Sequence, residues 1–217
     1  MIFHIITIFP EAFNSFLHTS IIAKAFEKWL FEIKFYKLGD FSKKKFKQID
    51  DKAFGMHGQV ISPEPLSNAI EHIFKNINNK PPIYYFSPRW KIIHQTYIQN
   101  FTKYTSECIL ICGHYEGIDE RIIELYNIQM LSIGNYILSG WELPAQVFID
   151  SIVRHIPWVV WNPLSLAEES FSEILDGKKE YPVYTRPANF CGLQVPEILI
   201  SGNHAAIEAW KKDNLTE

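Results

Sequence analysis

The chain has 217 residues, 47% of them hydrophobic and 21% charged, which describes an ordinary globular protein large enough for one core and a smaller appended domain. Its 21 Lys and Arg stand against 24 Asp and Glu for a net charge of −3, so it is not the basic chain of a simple nucleic-acid binder, and any RNA contact must be local. No apolar run approaches the ~20 residues that span a bilayer, and the N-terminus lacks the basic region and small-residue cleavage site of a signal peptide, so a cytoplasmic protein is expected.

In chain order, 1–9 is an apolar, β-branched run closed by Pro10 and reads as a buried first strand. Residues 11–20 and 21–29 have helical spacing, with Phe13, Phe16 and Leu17 on one side. Alternation over 31–36 predicts a second strand. Residues 38–65 are polar with little periodicity, and a structureless loop of that length in a compact domain is usually functional. It holds the one obvious basic patch, Lys43, Lys44, Lys45 and Lys47 before Asp50 and Asp51, either a solvated face or a phosphate contact. Pro65 opens a helix with Leu66, Ile70 and Ile73 on a buried stripe.

Residues 82–86 form a predicted third strand ending in Ser87 and Pro88, 94–101 a helix, 108–112 a fourth strand and 118–126 the next helix, with Asp119 placed to cap it. Strands alternating with helices predict an α/β fold with a mostly parallel sheet and helices on both faces. Of three cysteines, Cys108 and Cys112 share one face of the fourth strand, which reads as core packing, and no metal site is assigned. The run 129–133 is a short fifth strand. Residues 144–155 give the best helix, with Phe148 and Ile152, and Ile149 and Val153, as apolar i, i+4 pairs and Asp150 and Arg154 as a charge pair on the other side. Residues 158–179 shift to Trp, Ser, Glu and Gly and read as an interdomain linker. Its Trp158, Val159, Val160 and Trp161 suit a dimer contact, an RNA contact or plain packing. A small C-terminal domain follows over 180–217, with Ser201 or Asn203 capping a last helix.

Two stretches share one design. CILICGHYEGIDER (108–121) and LSIGNYILSGWELP (131–144) are each an apolar strand, a glycine at its end and a loop leading to a helix. Glycines let backbone groups approach a flat heterocycle, and the carboxyl ends of strands in an open α/β sheet form the ligand crevice. Either loop alone is also a plain turn; together they suggest neighbouring walls of one pocket. No GxGxxG follows a predicted strand, which disfavours a nicotinamide-dependent oxidoreductase.

With these motifs quoted, the chain resembles the bacterial tRNA (guanine-37-N1)-methyltransferases of the SPOUT, or α/β-knot, superfamily. The likeness extends through IITIFPEAF, IDD at 49–51, YFSP at 85–88, YTRP at 184–187 and VPEILISGNHAAIEAW near the end. The resemblance implies a deep trefoil knot, a donor-binding domain over 1–157, the linker 158–179 and a small helical tRNA-binding domain over 180–217. It implies S-adenosylmethionine as co-substrate, a role for Mg²⁺, a homodimer with the active site between subunits, and the tRNA anticodon loop as target.

By the same resemblance the donor pocket is lined by Phe86, Ser87 and Pro88; by Gly113, Tyr115 and Glu116; and by Ile133, Gly134, Tyr136, Leu138, Gly140 and Pro144, with Tyr136 and Leu138 covering the faces of adenine. Arg154 is then the cation for the guanine O6, and Glu169, where the family has an aspartate, the base for the N1 proton. Departures are equally specific. AFGMHGQV at 53–60 replaces a glycine-richer loop, Trp90 and Trp141 stand for glycines, Asn135 stands for an aspartate, and the family usually continues with further helices beyond position 217. Trp141 either turns outward or fills the adenine slot. The alternative function is therefore a diverged relative that keeps the knotted dimer and binds RNA or nucleoside without methyl transfer.

Overall fold

Side-chain alternation along the strands builds two cores on one sheet. In the computed structural model, which describes residues 1–161 and 168–216, strands β1 (Ile2–Thr7), β2 (Glu32–Lys37), β5 (Ile83–Phe86), β6 (Glu107–Ile111) and β7 (Gln129–Leu131) form one sheet in the order β2-β1-β6-β5-β7, every pair parallel. Successive residues point to opposite faces. Phe3, Ile5, Tyr84, Phe86, Cys108, Leu110 and Leu131 therefore enter one cluster, and Ile6, Ile83, Tyr85, Ile109 and Ile111 the other. Burial pushes the Cys108 and Cys112 thiols up and keeps them protonated, in keeping with a packing role.

The first face is covered by α2 (Ser20–Glu27), α4 (Gln95–Tyr104) and α6 (Glu142–Val153). The second is covered by α3 (Pro63–Lys75) and α5 (Glu120–Leu125). The i, i+4 pairs read in the best helix are those it buries: Phe148, Ile149, Ile152 and Val153 are fully enclosed, and Phe148 packs edge-on against Phe86 and Phe101. That helix starts at Glu142, two residues earlier than Pro144 suggests, because a proline in the first turn forfeits no helical hydrogen bond. Asp119 caps α5 by accepting from the Arg121 N–H, and the adjacent Arg121 side chain holds its carboxyl below the usual carboxylate range.

Two local readings change. Residues 11–20 make a 3-10 turn, Pro10–Phe13, and a single-turn helix α1 (Asn14–Leu17) in place of one continuous helix. The 38–65 stretch is structured: β3 (Asp50–Lys52) pairs antiparallel with β4 (Gln59–Ile61). Three-residue strands carry too little alternation to read, and this hairpin is held from outside, by hydrogen bonds from the Ile61 N–H to Gly117 O, the Glu116 N–H to Gln59 O and the Asp119 N–H to Ile61 O.

By contacts the chain divides into two compact units, Met1–Val160 and Trp161–Glu217. The second holds a hairpin of β8 (Asn189–Phe190) and β9 (Leu193–Gln194) and the helices α7 (Glu197–Ile200) and α8 (His204–Asp213), the latter capped by Asn203. Trp210 packs against Tyr181 and Tyr184, and a groove of about 490 Å³ runs past them and Arg186. The linker reading covers 162–167, which lie outside the described residues; within the rest of it Trp158 is exposed and Val159 buried. Among the described residues no helix is long and apolar enough to cross a membrane.

Candidate active site

The loops leaving β5, β6 and β7 meet at the carboxyl edge of three adjacent strands, the place where an open α/β sheet presents ligand sites. They are stitched together by main-chain bonds: the Ser87 N–H donates to Leu131 O at 2.8 Å, the Ile93 N–H to Ser132 O at 2.8 Å, the Ser132 N–H to Lys91 O at 3.3 Å and the Trp141 N–H to Gly113 O at 3.3 Å. Between them lies a cleft of about 220 Å³. Ser87, Pro88 and Arg89 line it from the first loop, Tyr115, Glu116 and Gly117 from the second, and Ile137, Leu138, Ser139 and Trp141 from the third, over a floor that includes Tyr85 and Ile118.

Close packing explains the glycine at the end of β6. A Cβ on Gly113 would lie 2.7 Å from the Tyr85 ring and 3.3 Å from the Trp141 indole. Burial pushes the Tyr85 phenol up to about 12, so it is a neutral hydrogen-bonding group at working pH. Tyr115 holds φ +57, uncommon for a residue with a Cβ, at the tip of its loop, and burial followed by the Asp50 charge raises its phenol as well. Arg89 and Glu120 pair at 3.0 Å at the mouth, but both are exposed and such pairs contribute little. The hairpin braces the second loop: Gly58, at φ +103, leaves room for Glu116, whose Cγ would be 2.6 Å from a Cβ there.

Of the residues expected to bind the donor, Ser87, Pro88, Tyr115, Glu116 and Leu138 line the cleft and Gly113 backs it. Phe86 and Pro144 lie in the core behind it, where Phe86 sets the register with Leu131. Tyr136 is folded onto its own loop, its hydroxyl donating to Ile133 O at 3.3 Å and its ring covering Gly134. The aromatic residues that line the cleft are Tyr85, Tyr115 and Trp141 instead. Trp141 faces inward, half-buried and touching both hydrophobic clusters. Gly140 sits against His114 and Glu142. Sequence reasoning singled out neither Tyr85 nor the Thr7, His114 and Glu142 group described below, because their partners are 28 and 135 residues apart in the chain.

Arg154 is not among the residues that line the cleft. It caps the carboxyl end of α6, a helix of 12 residues whose first residue follows Trp141. At 1.5 Å per residue its two ends are ~18 Å apart. The far end lies near the start of β1, where Ile156 and Pro157 share a groove with Met1. Arg154 is half-buried there and opposes the burial that raises the Asp150 carboxyl. Glu169 belongs to the second unit, buried, with its carbonyl accepting from the Ser172 N–H. The basic patch is largely committed to intramolecular contacts: Lys44 reaches Asp51 at 3.0 Å, Lys47 pairs with Asp40, Lys43 stands 3.8 Å from Glu64 and Lys45 lies over the Phe46 ring. Among the described residues no group of three or more His, Cys, Asp or Glu side chains could hold a metal ion.

The chain matches the family model described as tRNA (Guanine-1)-methyltransferase TrmD over residues 1–217. It belongs to that family. Relatives named tRNA (guanine-N(1)-)-methyltransferase include those of Clostridioides difficile, 47% identical over 98% of this chain and 91% of the relative, and of Caldanaerobacter subterraneus, 44% identical over 100% and 88%. Among solved structures, the tRNA (m1G37) methyltransferase from Aquifex aeolicus superposes with a TM-score of 0.79 at 33% identity, covering 98% of this chain and 88% of that one. Membership at this level favours the enzyme over the silent relative and accounts for the parallel sheet with helices on both faces.

Proposed function

We propose that this protein methylates N1 of guanine 37 in the anticodon loop of tRNA, with S-adenosylmethionine as donor, in the cytoplasm and as a homodimer. The observation that carries the reading is the cleft: three strand-end loops bearing the family motifs converge on one concave site lined by three aromatic residues and two carboxylates, in a chain of the tRNA (guanine-1)-methyltransferase family.

In this reading Ser87, Pro88, Tyr115, Glu116 and Leu138 hold the adenosine part of the donor, with backbone N–H and C=O groups reading the base edge, a specific and inexpensive mode for a flat heterocycle. Ile133, Gly134, Tyr136 and Gly140 form the loop that closes around it. As the guanine N1 proton leaves, the electron pair it frees on N1 attacks the donor methyl carbon while the C–S bond breaks, leaving a thioether. The N1 proton passes to the Glu169 carboxylate, and negative charge gathering on O6 is met by a guanidinium. Because Arg154 and the cleft-lining Trp141 stand at opposite ends of α6, ~18 Å apart along its axis, the partner subunit's Arg154 completes the site in this reading. Exposed Leu143 and Val147, four residues apart on α6, together with exposed Phe9 supply an apolar face for that association. The knot belongs to the same reading, which is supported by the bonds from the Ile93 N–H to Ser132 O and from the Ser132 N–H to Lys91 O that join the loops after β5 and β7. Residues 180–217 contribute tRNA contacts, with Tyr184, Arg186 and Trp210 around the groove as an aromatic and cationic surface. Magnesium has no protein cage in this scheme.

The test is calorimetric titration with S-adenosylhomocysteine followed by methylation of an unmodified tRNA transcript, read as a primer-extension stop. Binding together with a stop at position 37 is expected. A bound ligand with no methylation would sink the catalytic reading, and a stop at another guanine would sink the target assignment.

A further inference from the structure

We infer that Thr7, His114 and Glu142 form a clamp that sets the spacing of the two walls of the donor cleft, making His114 and Glu142 positioning residues for donor binding; this rests on reading the cleft as the donor site. Glu142 is the first residue of α6 and is buried. One carboxylate oxygen accepts from the Thr7 hydroxyl at 2.7 Å, and both oxygens accept from His114 Nε2, at 2.9 and 2.8 Å. Two acceptors at one ring nitrogen require the proton on Nε2. Thr7, at the end of β1, also accepts the Phe9 N–H at 3.0 Å, and the Phe9 ring stands edge-on to the imidazole at 5.1 Å.

The network joins the segments that make the cleft without lining the cleft itself. His114 directly precedes Tyr115 and Glu116 on one wall, and Glu142 directly follows Trp141 on the other. The bond between them ties together loops that leave β6 and β7, strands that are not neighbours in the sheet. Gly140 shows how close the fit is. A Cβ there would lie 2.4 Å from His114 Cε1 and 2.8 Å from Glu142 Oε2, so a side chain at this position forces the imidazole or the carboxylate to shift. A buried carboxylate kept with its donors in place is costly to leave unsatisfied, and walls held apart before binding spare the donor the cost of ordering them.

The test separates donor binding from folding. In His114→Ala the KM for S-adenosylmethionine and the Kd for S-adenosylhomocysteine are expected to rise about 10- to 100-fold, while the tRNA KM and the turnover at saturating donor change far less. His114→Gln, whose Nε2 amide can donate to Glu142, should recover most of the donor affinity. Gly140→Ala should copy His114→Ala, and the two together should add little to either, since both break one contact. Gly140→Ala also serves if His114→Ala fails to fold. Unchanged donor affinity in a folded His114→Ala or Gly140→Ala protein overturns the clamp. So does a fall in turnover with donor KM unchanged, the mark of a smaller folded fraction, and so does failure of His114→Gln to recover affinity. Absence of S-adenosylhomocysteine binding in the parent protein would instead overturn the donor-site reading.

Discussion

Arg154 and Trp141 show how much a residue's role depends on where its element ends. Both flank α6, yet only Trp141 reaches the cleft; Arg154 stands at the other end of the helix with Asp150. Arg154→Ala should therefore leave the affinity for S-adenosylhomocysteine within about twofold and lower methyl transfer by ~10²- to 10³-fold, the range for losing one charge-stabilising donor. Calorimetry alongside single-turnover transfer checks this, and equal losses in both would make Arg154 structural. Trp141 was legible as an anomaly because a bulky indole occupies a glycine position of the motif. Its inward direction was not legible, since it follows from apolar surface on both faces of the sheet that the indole can cover.

At the scale of elements, β5 carries two tyrosines on opposite faces, Tyr84 toward α4 and α6 and Tyr85 toward the cleft. Burial raises both phenols, Tyr85 to about 12 from an ordinary 10.0. The folded state thus keeps protons that the unfolded chain loses, so the contribution to stability is complete below pH ~10 and is lost as pH rises through the folded value. Urea unfolding followed from pH ~9 to ~12 should show stability falling over this window, and Tyr85→Phe should remove a part on the order of 2 kcal/mol. Long elements were readable: the apolar stripe of α6 and the continuous apolar runs of β1 and β6 mark the residues that are enclosed. The hairpin of β3 and β4 was not, because its order comes from docking on residues 116–119, far along the chain, rather than from its own pattern.

For the whole molecule, the site as proposed takes its cleft from one chain and its guanidinium from another, since the ends of α6 are ~18 Å apart. Co-expressing Arg154→Ala with Gly113→Val, whose side chain would collide with Tyr85, should restore methyl transfer to about a quarter of the parent level, since half the dimers are mixed and each mixed dimer has one intact site. No recovery above either variant alone would place cleft and guanidinium in the same subunit. What the amino-acid order determined by itself was local: which runs are strands and helices, that strands alternate with helices into a parallel sheet, and that two glycine loops at strand ends carry the family's motifs. Those follow from side-chain period and backbone freedom, which act over a few residues. Only the tertiary structure decided that Tyr136 folds onto its own loop while Tyr85 and Trp141 face the cleft, that Thr7, His114 and Glu142 meet, and that Arg154 stands at the end of α6 away from the cleft. The last step of the Thr7, His114 and Glu142 network joins buried groups 135 positions apart, and no local pattern in the chain encodes such a contact.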